Sequence, residues 1–184
     1  MTGIKDGLRD LMKSFAFAFK GLLFCVKNER NMRIHIVAAG AVLSFAAIFG
    51  LNPGEYTVLI LIVGFVLSAE MINASIESVV NLKTKEYDHF ARIAKDIAAG
   101  AVIVAAAGSV GAGCILFLRF PMLTNALYRI VVTPYFLIPY LLYTFFGIMF
   151  VFFGLNPLKW GIKKKGYIQK DEYDEVKIYH IKSK

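Results

Sequence analysis

Along the first 28 residues, Ile4, Leu8, Leu11, Met12, Phe15, Phe19, Leu22 and Leu23 recur at helical spacing, while Lys5, Arg9, Lys13, Lys20 and Lys27 fall on other faces. An apolar stripe beside a basic face predicts a helix lying in a membrane interface rather than crossing it. Four long apolar runs follow. Residues 34–51 contain His35 as their only ionisable side chain, and the run is long enough for a short span. Asn52-Pro53-Gly54-Glu55 reads as a tight turn. Residues 56–80 predict a second span, uncharged until Glu70 and then carrying Glu70, Asn73 and Glu77. Residues 81–96 read as a polar loop. Residues 97–118 predict a third span, free of charge and rich in Ala and Gly, which let membrane helices approach closely. After a short connection at 119–129, residues 130–155 form a fourth aromatic-rich run with Pro134 and Pro139 inside it as expected kinks.

The fold class expected is therefore an all-α integral membrane protein. It comprises an interfacial helix (1–28), a three-span core (29–118), a connection with a fourth transmembrane helix (119–155) and a basic tail (156–184). Composition agrees: the 184 residues are 58% hydrophobic and 18% charged, with a mean hydropathy of +0.60. Lys and Arg orient the chain. Segment 1–33 holds seven, the 81–96 loop four and the tail eight, so 19 of 21 lie on one side of a four-span bundle. That side is expected to be the cytoplasm, with both termini there. Without the fourth span, the Lys-rich tail would lie outside. The net charge of +8 points to anionic membrane lipids as partners, and no nucleic-acid-binding motif accompanies it.

Carboxylates inside a membrane helix cost a few kcal/mol on insertion scales and call for a functional explanation. Glu70, Asn73 and Glu77 are spaced i, i+3, i+7, so at about 100° per residue they project within about 60° of one face. Glu29 precedes the first span at the same level, and Lys95-Asp96 stands at the mouth of the third. Single glutamates at helix ends are commonly solvated or paired, but Glu70 lies about two turns deeper than Glu77. A few hard oxygen ligands suit Mg²⁺, which retains waters and takes phosphate oxygens. A lysine suits phosphate, and a membrane-buried carboxylate suits a general base for a lipid hydroxyl. Together these parts fit phosphoryl transfer from a nucleotide to a membrane alcohol.

Other chemistries lack their residues. There is no GxxxxGK[ST] phosphate loop. Gly108-Ser109-Val110-Gly111-Ala112-Gly113 lies inside the third span and reads as a close-packing face. His35, His89 and His180 are scattered, and no Ser-His-Asp arrangement stands out. Cys25 and Cys114 are expected at opposite membrane levels, too far apart to pair within one chain. Lys13, Lys20 and Lys27 interrupt the N-terminal apolar residues, which argues against a signal peptide.

Three stretches carry a resemblance. Asn28-Glu29-Arg30-Asn31-Met32-Arg33-Ile34-His35, Glu70-Met71-Ile72-Asn73-Ala74-Ser75-Ile76-Glu77-Ser78-Val79-Val80 and Ala94-Lys95-Asp96-Ile97-Ala98-Ala99-Gly100-Ala101-Val102 resemble the prokaryotic diacylglycerol kinase and undecaprenol kinase family in order and spacing, over roughly residues 10–118. The resemblance implies an ATP- and Mg²⁺-dependent lipid kinase of the bacterial plasma membrane. It implies a homotrimer with a surface helix and three spans per chain, and active sites shared between subunits. It makes Glu70 the catalytic base and part of the substrate-binding site, with Glu29 and Glu77 as Mg²⁺ ligands. Asn73, Lys95 and Asp96 would bind ATP, joined by Glu86, Tyr87, Asp88 and Lys13. Arg33 would bind substrate. The Arg33-Ile34-His35 motif is closer to the Gram-positive branch, which favours undecaprenol over diacylglycerol.

The chain departs from the family at Asn81, where Asp is usual, and at Phe17, where some members carry tyrosine; both bear on nucleotide binding. Asn73-Ala74-Ser75 replaces a commoner Asn-Thr-Ala or Asn-Ser-Ala. The fourth span and tail lie outside the resemblance. The tail reads as a solvated extension of an anchor, with Lys163 to Lys165 on the catalytic side as a candidate gate. The competing reading is a non-catalytic scaffold or regulatory subunit on the same fold. Retention of Glu29, Glu70, Asn73, Glu77, Lys95 and Asp96 together argues against it. An ion pathway would need ionisable residues along the third and fourth spans, which carry no Asp, Glu, His, Lys or Arg.

Overall fold

The structure, a computed structural model, describes residues 2–83 and 88–155. The expected tail (156–184) and the loop residues Glu86 and Tyr87 lie outside the described residues. Six helices and no strand occur among those described: α1 (Thr2–Asn28), α2 (Arg30–Phe49), α3 (Pro53–Lys83), α4 (His89–Phe117), α5 (Met122–Val132) and α6 (Pro134–Phe153). Four of them, α2, α3, α4 and α6, are long and apolar enough to cross a membrane. The protein is thus an all-α, multi-pass membrane protein. α3 and α4 form the most extensive pair, α2 packs on α3, and α6 lies against α2.

Local chemistry sets the corners. Gly50 ends α2 with φ 83° and ψ 49°, a left-handed conformation that glycine adopts without strain, and its N–H donates to Ala46 O at 3.0 Å. Asn52 and Glu55 then cap α3 reciprocally. Asn52 N–H donates to Glu55 Oε2 at 2.9 Å and Glu55 N–H to Asn52 Oδ1 at 3.0 Å. The expected turn is therefore the start of the second span.

Both neighbours of the 81–96 segment run further than the apolar pattern. α3 continues to Lys83 and α4 begins at His89, so Lys95 and Asp96 sit on a helix and not in a loop. Asp88 starts α4 by accepting from Phe90 N (2.8 Å) and Ala91 N (3.1 Å). Once a helix is capped, its backbone hydrogen bonds carry it beyond the bilayer whatever the side-chain polarity.

The fourth run is divided. Thr133 is extended (φ −97°, ψ 110°), as the residue before a proline prefers, and Pro134 opens α6 where its missing N–H costs nothing. Only Pro139 lies inside the helix. Ile130 to Val132 belong to α5, which at 11 residues is too short to span.

Two apolar clusters mark the ends of the bundle. One gathers Ala46, Phe49, Leu51, Leu59, Leu116 and Ala126 where α2, α3, α4 and α5 meet. There Arg119 Nη1 donates to Glu55 Oε1 at 2.7 Å, and its guanidinium lies 5.2 Å from the Phe49 ring centroid. The other gathers Cys25, Met32 and Ala74 where α1, α2 and α3 meet. Most large apolar side chains of α3, α4 and α6, such as Phe65, Ile103, Val104, Ile115 and Phe146, remain exposed, which suits contact with lipid or another chain. Gly100, Gly108, Gly111 and Gly113 of α4 face open space within the chain. The close packing expected of that stretch does not occur within one protomer.

Candidate active site

The site is built around a one-residue break. α1 ends at Asn28, α2 begins at Arg30, and Glu29 between them is extended (φ −100°, ψ 119°). Its N–H donates to Cys25 O at 2.8 Å, and its carbonyl accepts from Arg33 N at 3.4 Å. Met32, 1% exposed, and Cys25 anchor this corner onto Ala74 of α3, with Val26, Ile36, Leu67 and Met71 around them. The corner therefore rests on the same stretch of α3 that carries Glu70, one turn before Ala74. Burial first, then the charges of Glu29 and Glu70, push the Cys25 thiol up from its ordinary value. That environment keeps Cys25 a neutral packing residue.

Glu70 is 2% exposed and Asn73 is 8% exposed. Glu70 Oε2 and Asn73 Oδ1 are buried and find no hydrogen-bond partner among the described residues. Such atoms normally cost about 1–3 kcal/mol each in unmade hydrogen bonds. Native chains keep few of them, and these two sit a turn apart on one face. Glu29 and Glu77 supply the charges that act on Glu70. The expected face of Glu70, Asn73 and Glu77 thus turns inward, toward the corner that holds Glu29.

Not every expected partner joins them. Lys95 and Asp96 stand near the start of α4. Asp96 is exposed and faces Arg92 at 3.7 Å on its own helix. Lys13 pairs with Asp10 at 3.2 Å on the exposed face of α1. Asp88 is occupied in capping α4. Arg33, 8% exposed, donates from Nη1 to Val26 O (3.2 Å) and Lys27 O (3.1 Å), and from Nε to Val151 O (3.3 Å). Sharing one membrane depth does not make two side chains face each other, and Asp96 turns to Arg92 on its own helix. Sequence reasoning missed the roles of Met32 and Cys25 as the seat of the corner, since single apolar residues carry no signal of their own. It also missed the Glu55–Arg119 pair, whose signal was present: they are nearly the only charges on their side of the bundle.

A divalent cation fits the donor set of Glu29 and Glu77, because Mg²⁺ takes one or two carboxylates and completes its shell with water and phosphate. No group of three His, Cys, Asp or Glu side chains suited to a metal occurs among the described residues. With two carboxylates, the rest of such a cation's shell would come from water and phosphate oxygens.

The pattern that defines prokaryotic diacylglycerol kinases matches residues 16–117, more than half the chain. The chain belongs to that family. It is similar to an undecaprenol kinase of Bacillus subtilis (strain 168), with 37% identity over 114 residues, covering 62% of this chain and 93% of the relative. A diacylglycerol kinase of a Synechocystis species is 38% identical over 109 residues, covering 58% of this chain and 62% of the relative. A diacylglycerol kinase of Escherichia coli (strain K12) is 30% identical over 116 residues, covering 63% and 95%. No solved structure matches. The family is one of lipid kinases, so the membrane phosphotransferase expected from the sequence stands. The family match ends with α4, and α5 and α6 lie beyond it.

Proposed function

We propose that the protein is an ATP- and Mg²⁺-dependent kinase of a membrane alcohol, with undecaprenol as the preferred acceptor. The observation that carries the reading is Glu70: a carboxylate within a membrane helix, 2% exposed, with one oxygen free of any partner among the described residues. An unpaired carboxylate oxygen at that depth supports the role of proton acceptor toward a lipid hydroxyl.

Glu70 takes the hydroxyl proton as the lipid oxygen bonds to the γ-phosphorus of ATP. The bond from that phosphorus to the bridging oxygen breaks, and ADP leaves. Asn73, with its carbonyl oxygen free to accept on the same face, orients the acceptor hydroxyl, and its amide N–H groups suit the terminal phosphate. Glu29 and Glu77 hold Mg²⁺, which when bound neutralises phosphate charge and aligns the transferring group. Lys95 and Asp96 act on the nucleotide from a neighbouring chain of a homotrimer, the arrangement that the resemblance implies. Lys13, Glu86, Tyr87 and Asp88 border the nucleotide. The Lys-rich side faces the cytoplasm of a bacterial plasma membrane, where ATP is present, and α1 lies on its anionic lipids.

The Arg33-Ile34-His35 motif and the relative from B. subtilis favour undecaprenol. The relatives named diacylglycerol kinase make diacylglycerol the acceptor to run beside it. The test is transfer of labelled phosphate from ATP to each lipid in mixed micelles, comparing wild type with Glu70→Gln. Transfer by wild type with a drop of about 10²–10⁴ in the variant is the expected result. Well-folded wild type that phosphorylates neither lipid overturns the reading and leaves a non-catalytic scaffold.

A further inference from the structure

The fourth span is tied to the site through one side chain. α6 runs back along α2, with Gly147 packed against Val37 and Gly40 against Tyr143. A Cβ at Gly147 would lie 2.8 Å from Val37 Cγ1, so backbone and side chain are already in close contact. Tyr143 Oη donates to Val37 O at 2.7 Å. This register brings the last turn of α6 to the first turn of α2. There the Arg33 guanidinium reaches two helix ends at once, Val26 O and Lys27 O of α1 and Val151 O of α6. Those carbonyls belong to last turns, where the helix has no N–H for them and its dipole is negative. A buried cation with a planar fork of donors suits that position. Gly154 closes α6 beside it, where a Cβ would stand 3.4 Å from Arg33 Cζ.

Glu29 lies between the two α1 carbonyls that Arg33 holds and Arg33 itself, whose own N–H donates to Glu29 O. We infer that Arg33 is a positioning residue that couples the fourth span to Glu29: α6 holds the guanidinium, the guanidinium holds the end of α1, and the angle at the break aims the Glu29 carboxylate at its cation. The inference rests on the lipid kinase reading for what Glu29 does there, while the mechanical coupling is independent of it. The span beyond the family match then adjusts cation binding and is more than an anchor.

The test uses the full chain in micelles with Arg33→Gln, Arg33→Lys and Gly147→Leu. Gly147→Leu pushes α6 from α2 without touching the corner. Two readouts are independent of turnover: amide hydrogen exchange, and Mn²⁺ binding followed by electron paramagnetic resonance with ADP present. Arg33→Gln and Gly147→Leu are both expected to speed exchange across residues 26–33 while that of α3 around Glu70 stays as in wild type. Both should raise the Mn²⁺ concentration for half-saturation roughly tenfold, the usual effect of losing a residue that orients a metal ligand. Arg33→Lys, which keeps the charge but cannot fork between two helix ends, should fall between. Unchanged exchange and Mn²⁺ binding in Gly147→Leu, with Arg33→Gln raising only the KM for lipid, would make Arg33 a substrate ligand and overturn the coupling. Faster exchange spread through α3 as well would make the contact one of general stability and overturn it too. Wild type that binds Mn²⁺ and responds as expected but transfers no phosphate would sink the kinase reading and leave the coupling standing.

Discussion

A carboxylate oxygen buried without a donor raises the free energy of the folded chain, by about 1–3 kcal/mol or more when charged. Glu70→Leu should therefore unfold at higher temperature than wild type in micelles while losing phosphate transfer. A lower unfolding temperature would reveal a structural partner for the carboxylate. Glu29 and Glu77 should divide from Glu70 in kinetics. Glu29→Gln and Glu77→Gln are expected to raise the Mg²⁺ concentration for half-maximal transfer, whereas Glu70→Gln lowers kcat at saturating Mg²⁺. A Glu77→Gln variant with wild-type Mg²⁺ dependence would remove Glu77 from the cation. At this scale the sequence was informative where charge meets periodicity. Spacing alone put Glu70, Asn73 and Glu77 on one face, and the cost of burial singled out Glu70. It gave no sign that Arg33 ties helix ends together, because its acceptor carbonyls lie on other helices, one of them 118 residues away.

Between elements, packing outweighs hydrogen bonding in holding α6 to α2. Interhelical hydrogen bonds in membrane proteins average only about 0.6 kcal/mol, so Tyr143→Phe should lower stability slightly despite its 2.7 Å bond to Val37 O. Gly40→Leu should cost more, about 1–3 kcal/mol, because the added side chain meets the Tyr143 ring in a close contact. Thermal unfolding of the two variants in one detergent ranks them, and a larger loss for Tyr143→Phe would reverse the argument. The spans α2, α3 and α4 were legible because unbroken apolar runs need no partner to be recognised. Their polar extensions were not. Asn81 to Lys83 and His89 to Asp96 look like loop by composition, yet they are helical because each continues a helix already formed or follows the Asp88 cap. The division at Thr133 was hidden for the opposite reason: apolar residues continue through it, and only Pro134 marks the boundary.

For the whole molecule, what one chain leaves incomplete bears on assembly. Asp96 faces Arg92 on its own helix, and Gly100, Gly108, Gly111 and Gly113 of α4 face open space. Both are accounted for if α4 of one chain packs against the α3 site of another, as in the trimer that the resemblance implies. Shared sites have an arithmetic consequence. A Glu70→Gln chain and an Asp96→Asn chain are each expected to be inactive alone, because every site in either homo-oligomer lacks one group. Unfolded together in equal amounts and refolded, they form mixed rings. A site then works when its Glu70 comes from an Asp96→Asn chain and its Asp96 from a Glu70→Gln neighbour. Under random mixing in a cyclic assembly that combination arises at about one site in four, so about a quarter of wild-type transfer should return. Recovery near zero, with mixed oligomers confirmed by differently tagged chains, would place both groups in the site of a single chain. The side-chain arrangement around α4 would then have to differ from the one in which Asp96 faces Arg92.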